Sequence, residues 1–472
     1  MIRLVQCAEN PNHWYSSHNA QCPWCEIARQ RGVDYFPAPA IPRAQVITPQ
    51  EDAPDEPAVI IQKPQKSTRS SPVILIAGVA LIAILALIMV SLMGNPLSSS
   101  PGDSGETEKR VSVLYNEAVE AYKAKQYDKA LGICDAVLEV KPDFAAAWNI
   151  KALSLSSLGR YNEAVVSIDE ALSLEPGEDM YWANRGGICL GADNYDEMNR
   201  SFERALELNP DRQWTWHQMG QALYSVGDYE GALQAYDTVI GIDSSSANIW
   251  IARGWVCDKL KRYEDMRDAF SRALEIDSKS AEAWRGKGKA LHHLGLYTEA
   301  LTHFDAAIQN DPTLVSGYAD KGWTYEKLED YEGMKSCFDR AVKIDPDMYS
   351  TWYGRGRAYC RLGNYKAAIA DLDRAIEIDP GVAQPWYWKG RCLAYQGMYA
   401  EALLSIDKAL QIDPDYTEAW YSRGVVLDQL DRHEEAQECY QKADQLVPGY
   451  AQQGGWDLAS SSSGSSPLLP FV

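Results

Sequence analysis

The chain has 472 residues, and its 45 Lys and Arg against 66 Asp and Glu give a formal net charge of −21 at pH 7. Binding to nucleic acid depends on neutralising phosphates with basic side chains, so this balance argues against a nucleic-acid partner. Ten cysteines divide into three before residue 26 and seven after residue 133, which suggests two unrelated roles for them.

Residues 1–35 hold Cys7, His13, His18, Cys22 and Cys25. Cys22-Pro-Trp-Cys25 is a two-residue knuckle of the kind that gives two thiolates to one tetrahedral zinc, and Cys7 with a histidine completes four ligands. The segment resembles short zinc-ribbon modules at the amino ends of prokaryotic multidomain proteins. In those modules the ligand is the histidine followed by aromatic residues. Here Trp14 and Tyr15 follow His13. The resemblance therefore implies Cys7, His13, Cys22 and Cys25 as ligands of one structural zinc ion, with His18 the alternative fourth ligand. The rival reading is a redox dithiol, which normally opens a helix inside a thioredoxin-like fold. This segment is too short for one.

Residues 36–72 form a Pro-rich linker with eight prolines, from Pro37 to Pro72. Val73 to Met93 follows, an uncharged run interrupted only by Gly78 and Ser91. At about 1.5 Å per residue it spans roughly 31 Å, close to the ~30 Å hydrocarbon core, and one transmembrane helix is expected. Lys63, Lys66 and Arg69 precede it closely, whereas no Lys or Arg occurs between residues 94 and 103. The positive-inside rule then puts the amino terminus in the cytoplasm and the following region outside, in a single-pass cell-membrane protein. Residues 94–110 read as a flexible linker. Within it, Gly102-Asp103-Ser104-Gly105 matches the tetrapeptide around a chymotrypsin-like nucleophile, but no β-rich domain or partner histidine accompanies it.

From residue 111 to 450 the chain repeats every 34 residues without insertion, in ten units starting at 111, 145, 179, 213, 247, 281, 315, 349, 383 and 417. Trp148, Trp182, Trp216, Trp250, Trp284, Trp352, Trp386 and Trp420 share position 4, and Tyr318 takes that place in the seventh unit. A recurring indole of this kind marks an internal repeat. In the eighth unit, residues 350–362 carry apolar side chains at helical spacing and end at Gly363-Asn364. A second helix over 365–378 ends at Asp379-Pro380-Gly381. The pattern resembles the tetratricopeptide repeat family. The resemblance implies an all-α fold: a right-handed α-solenoid of helix-turn-helix repeats with a concave and a convex surface. Residues 451–472 read as a disordered Ser/Gly-rich tail.

Two further stripes follow the repeat. Position 7 is basic in eight units (Lys151, Arg185, Arg253, Lys287, Lys321, Arg355, Lys389, Arg423), and position 25 is acidic in eight (Asp135, Asp169, Glu203, Asp237, Asp305, Asp339, Asp373, Asp407). Antiparallel pairing within one hairpin would match position 7 with position 25, so a ladder of ion pairs inside each repeat is expected, in preference to a track for a polyanion. Cys134, Cys189, Cys257, Cys337, Cys360, Cys392 and Cys439 fall one per repeat at buried-type helix positions. They read as small core residues, because helix axes about 8–10 Å apart exceed disulfide reach.

No Gly-rich phosphate loop and no His-Glu-x-x-His motif occurs, and His292, His293 and His303 read as ordinary groove and helix-surface residues. The chain is not expected to be an enzyme. The family resemblance implies that positions 2, 5, 6, 9, 12 and 13 of the first helix line a groove. In the last three repeats these include Tyr353, Arg357, Arg361, Tyr387, Trp388, Arg391, Tyr395 and Tyr421. Aromatics interleaved with Arg are typical of binding hot spots. The expectation is a membrane-anchored scaffold that captures a protein or peptide, acidic or carboxylate-bearing, on this patch. The alternative is a surface protein that recognises a cell-envelope glycan; capture of a charged glycan would be the more salt-dependent. The family's chaperone-tail clamp pairs Lys at position 5 with Asn at position 9, and Tyr353 with Arg357 does not match it.

Overall fold

The computed structural model describes residues 104–450 and two short strands nearer the amino end. Strands β1 (Leu4–Gln6) and β2 (Trp14–Ser16) pair antiparallel with Val5 opposite Tyr15. The expected zinc ligands Cys7, His13, Cys22 and Cys25 lie outside the described residues, as do the Val73–Met93 span and the tail from 451. Among the described residues no helix is long and apolar enough to cross a membrane, and no group of three His, Cys, Asp or Glu could hold a metal ion.

The rest of the described chain is twenty α-helices in ten hairpins. The first five hairpins are α1 (Ser104–Lys123) with α2 (Tyr127–Val140), α3 (Ala145–Ser157) with α4 (Tyr161–Leu174), α5 (Asp179–Gly191) with α6 (Tyr195–Leu208), α7 (Gln213–Val226) with α8 (Tyr229–Ile242), and α9 (Ala247–Lys259) with α10 (Tyr263–Ile276). The second five are α11 (Ala281–His293) with α12 (Tyr297–Asn310), α13 (Val315–Lys327) with α14 (Tyr331–Ile344), α15 (Tyr349–Arg361) with α16 (Tyr365–Ile378), α17 (Ala383–Tyr395) with α18 (Tyr399–Ile412), and α19 (Thr417–Asp428) with α20 (His433–Leu446). The all-α solenoid expected from the repeat is what the chain forms. Helix α1 starts at Ser104, inside the segment expected to be linker, with Glu106 in its first turn where it favours the helix dipole.

Every hairpin turns at position 15 through a left-handed residue. Five are glycines (Gly159, Gly227, Gly295, Gly363, Gly397) and five are not (Lys125, Asp193, Lys261, Glu329, Asp431), all with φ between 57° and 89°. In several repeats the residue immediately after the left-handed one caps the second helix. The Asp330 side chain accepts from the Gly333 amide at 2.8 Å, and the Asp228 side chain from the Gly231 amide at 3.0 Å.

Close approach of helices is built from small residues set against large ones. A Cβ on Gly354 would stand 2.3 Å from the Phe338 ring of the preceding repeat, and one on Gly356 would stand 3.2 Å from the Ala368 carbonyl of its own repeat. Phe202, Phe270, Phe304 and Phe338, all at position 24, are among the largest fully buried side chains. Each repeat therefore seats a first helix against both its own second helix and the one before it, which is how stacked hairpins share a core that none could bury alone.

The tryptophan grid lies at the margin of that core. Only Trp216 of the eight is fully buried, at 5% exposure. Each indole instead donates to a carbonyl six residues earlier, in the loop joining two repeats, as Trp148 does to Pro142 at 2.9 Å. The ion-pair ladder also differs from expectation. Position 25 pairs with position 7 of the following repeat, as in Asp135 with Lys151 at 2.7 Å and Asp169 with Arg185 at 2.7 Å. Asp237 with Arg253, Asp305 with Lys321, Asp339 with Arg355, Asp373 with Lys389 and Asp407 with Arg423 complete seven rungs. The pairs fall between repeats because each second helix touches two first helices and turns its acidic face to the later one.

Candidate functional site

Successive first helices approach one another more closely than successive second helices do, so the first helices form the inner layer of the curved array. Position 5 of one repeat meets position 6 of the next across that layer. Asn184 donates to Asn149 at 2.9 Å, Arg285 to Asp320 at 2.9 Å, and Ser422 to the Tyr387 hydroxyl at 3.4 Å.

The middle of the inner layer is polar and internally neutralised. Asp258 on α9 is bridged by Lys289 of α11 at 2.8 Å and stands 3.7 Å from His293. The Trp255 indole donates to Glu282 at 2.9 Å while the Arg285 guanidinium lies 4.6 Å from its ring centre. His293 stacks on Tyr263 at 4.4 Å, and His292 Nδ1 lies 2.9 Å from the Thr324 hydroxyl. Burial raises the Asp320 carboxyl despite the Arg285 guanidinium beside it. Burial, together with His293, Lys327 and Lys289, lowers His292 to about 4.

The carboxyl-terminal part of the layer has a different balance. The Trp388 ring has three guanidinium groups around it: Arg391 at 4.5 Å, Arg357 at 4.7 Å and Arg361 at 5.3 Å from the ring centre. Arg357 also faces the Trp323 ring at 5.5 Å, ion-pairs with Glu326 at 2.7 Å and donates to the Tyr353 hydroxyl at 3.2 Å. Arg391 donates to Tyr387 at 3.5 Å and to Tyr395 at 3.4 Å. Burial, then the positive charges of Arg391 and Arg357, lower the Arg361 guanidinium from its ordinary value. Three cations thus share a confined space, and the charge of Glu326 reaches both Arg357 and Arg361.

All eight residues expected in the groove fall on first helices α15, α17 and α19, and seven of them, Tyr421 excepted, gather around or beside Trp388. Three of the eight are buried more deeply than an open binding patch requires. Tyr387 is 5% exposed, Trp388 4% and Arg391 4%. Tyr387 packs on Tyr416 at 4.9 Å, so it belongs to the wall of the layer, and the aromatic ladder at position 5 is largely packing between neighbours. Tyr421 packs against Tyr440 and Tyr450. Glu326, Trp323 and Trp255 were missed. Their signal was present: Trp255 and Trp323 occupy position 9, one repeat before Lys289 and Arg357 at the same position.

The comparisons with known proteins agree with this architecture. Tetratricopeptide repeat models match residues 217–281, 267–314, 322–385, 383–416 and 417–449, and the model of the Psidin N-terminal TPR repeats region matches 108–237. The chain belongs to the tetratricopeptide repeat family. No curated protein matches it. Among solved structures this tetratricopeptide repeat protein is similar to YrrB, described as a TPR protein with an unusual peptide-binding site, at 26% identity over 42% of this chain and 100% of that one, with a TM-score of 0.33. Yeast Tom70 matches at 16% identity over 73% of this chain and 94% of that one, TM-score 0.40. MamA matches at 22% identity over 35% of this chain and 96% of that one, TM-score 0.32.

Proposed function

We propose that the protein is a non-enzymatic, membrane-anchored scaffold that holds an acidic protein or peptide segment on the inner layer of repeats 7 to 9. One observation carries this reading: the guanidinium groups of Arg357, Arg361 and Arg391 converge on the Trp388 ring. Like charges held together in a half-buried place cost free energy, and an incoming carboxylate offsets that cost while meeting planar donors that suit it. Arg357 and Arg361 are the half-buried members and are the ones a ligand can reach; Trp388 and Arg391 support them from behind.

Detergent-solubilised full-length protein and fluorescent peptides rich in Glu or in Lys test it by anisotropy. Selective capture of the Glu-rich peptide, weakened by salt and by Arg361→Gln, is the expected result. Equal capture of both peptides, or binding indifferent to Arg361→Gln, removes the acidic-segment reading.

Two sequence-based parts of the reading have their own tests. Anchoring through residues 73–93 with the repeats outside rests on the uncharged run and on Lys63, Lys66 and Arg69 before it. Protease added to intact cells should then digest the repeats and spare the first 60 or so residues. One zinc ion on Cys7, His13, Cys22 and Cys25 rests on ligand type and spacing, and metal binding would supply most of the folding energy of so short a segment. Elemental analysis of the purified chain should find one zinc per molecule, lost in the Cys22→Ser variant.

A further inference from the structure

Two ion pairs share one register across the inner layer. Position 12 of one repeat meets position 9 of the next as Asp258 with Lys289 and as Glu326 with Arg357. The first is an aligned hydrogen bond, with the Lys289 ammonium donating to Asp258 at 2.8 Å. The second is not. Arg357 Nε lies 2.7 Å from Glu326 Oε1, yet neither of these buried atoms makes a hydrogen bond. Arg357 is engaged elsewhere: it donates to the Tyr353 hydroxyl at 3.2 Å and lies against the rings of Trp323 and Trp388. Its side chain keeps 17% of its surface and that of Glu326 keeps 9%, so the pair is only partly closed.

We propose that Glu326 is an internal competitor of the ligand, holding the edge of the Arg357 guanidinium that an incoming carboxylate would take. It thereby sets the affinity and the charge selectivity of the arginine cluster. This rests on the reading of the inner layer of repeats 7 to 9 as the place of capture. The donors of a guanidinium point outward in its plane, so a carboxylate is received at the edge while the faces suit aromatic rings. With Trp323 and Trp388 against the group and Tyr353 at Nη1, the Nε side of that edge is where Glu326 stands. A second carboxylate arriving there meets the negative charge of Glu326 as well as the positive charge of Arg357. Like charges brought together at an interface are costly, and that cost lowers affinity.

The misaligned contact is what lets a ligand win. Glu326 compensates Arg357 by charge and not by a directed bond at Nε, so displacing Oε1 from that atom forfeits no hydrogen bond. A ligand carboxylate, free to orient, can accept two parallel bonds from the guanidinium fork. Neutralising Glu326 therefore acts in opposite directions on the free and the bound protein. Glu326→Gln removes the competitor and leaves the arginines with less compensating charge, so the free protein loses stability while the complex gains affinity. A side chain that merely supported the fold would lower both.

Full-length protein in detergent is titrated into fluorescent Glu-rich and Lys-rich peptides and read by anisotropy, with melting followed in the presence and absence of peptide. Glu326→Gln should bind the Glu-rich peptide about tenfold more tightly than wild type, with the gain shrinking in salt, and should melt lower when free. Its preference for the Glu-rich over the Lys-rich peptide should rise in step. Glu326→Asp draws the charge back by one methylene and should gain about threefold, which decides the matter if Glu326→Gln fails to fold. Asp258→Asn removes one negative charge at the same register two repeats away and should leave affinity within about twofold. Unchanged or weaker capture by the Glu326 variants, while Arg361→Gln still weakens capture, overturns this inference and leaves the acidic-segment reading standing. An equal gain from Asp258→Asn assigns the effect to net charge and overturns it too. Failure of wild type and Glu326→Gln alike to capture the Glu-rich peptide removes both.

Discussion

The indole of Trp352 donates to the carbonyl oxygen of Pro346 at 2.7 Å, across the loop that joins repeat 7 to repeat 8. The same bond recurs at Trp182, Trp216, Trp250, Trp284, Trp386 and Trp420, and Tyr318 reproduces it with its hydroxyl on Pro312 at 3.4 Å. The acceptor is a proline except at Trp250 and Trp284, where Ser244 and Ser278 take its place. In each case it lies in the loop past the preceding helix, so its carbonyl is free to be claimed, and the indole reaches back to it from the first turn of the next repeat. Trp352→Phe keeps most of the apolar area and loses the donor. A loss of about 1 kcal/mol in chemical denaturation is expected, and Trp352→Ala should cost more.

The basic residues at position 7 should differ in what they contribute. Arg355 donates twice to Asp371, at 2.7 and 2.9 Å, as well as to Asp339, and Asp371 is buried. Arg355→Gln leaves that carboxylate without its charge partner and should cost about 2–3 kcal/mol. Lys389→Gln breaks the bridge to the half-exposed Asp373 and a long contact with the Trp386 ring, and should change stability by less than about 1 kcal/mol, less still in high salt. Equal losses would show that position 7 contributes through packing alone.

At position 15 the five non-glycine residues hold a left-handed backbone, with Lys261 at φ 58° and Glu329 at φ 58°. Side chains there cost roughly 1 kcal/mol that glycine avoids. Glu329→Gly should therefore raise the denaturation midpoint, by about 0.5–1 kcal/mol, although the same change in a helix interior would lower it. Gly363→Ala, at φ 76°, should do the reverse.

His292 gives the middle repeats a dependence on acidity. It titrates near 6.5 in the unfolded chain and at about 4 in the fold, chiefly because it is buried. The unfolded state binds the proton first, so stability rises with pH between about 4 and 6.5 and is lost on acidification through that window. His293 is lowered in the same direction by burial and adds to the slope. His292→Asn should flatten the pH dependence of the melting temperature there, while leaving that above pH 7 parallel to wild type.

Tyr387→Ala combined with Arg391→Ala would have been a natural way to probe an open groove. With both residues buried, the double variant should lose about 3–5 kcal/mol and unfold well below wild type, so lost capture would say nothing about contact with a ligand. Arg361→Gln, on a half-buried residue, is the informative change.

The helices, their turns and their stacking were legible because each depends on residues within one repeat: Gly363 and Asn364 at the turn, Pro380 after it, Gly356 beside Ala368. What was misread depends on the next repeat. Asp373 and Lys389 form a rung only because the second helix of one hairpin lies against the first helix of another, and the antiparallel arithmetic within a hairpin gives no sign of it. Tyr387 was placed correctly on the inner layer, but its burial is set by Tyr416 and Ser422, one repeat later. A 34-residue period identifies which positions recur and is silent on which recurrences touch.

The ladder has two vacant places. At the boundary of repeats 3 and 4, Met219 stands where a base would meet Glu203, and between repeats 5 and 6, Ser271 stands where an acid would meet Lys287. Stacked repeats behave as a chain of elements coupled only to their neighbours, so a coupling that lacks its charge term is the softest link in its vicinity. Tension applied along the array would be taken up first at these two joints, much as a spring with two thinner coils stretches there before elsewhere. Repeats 6 to 10, with every rung present, would then move as one stiff segment and carry the arginine cluster intact while the middle of the protein gives.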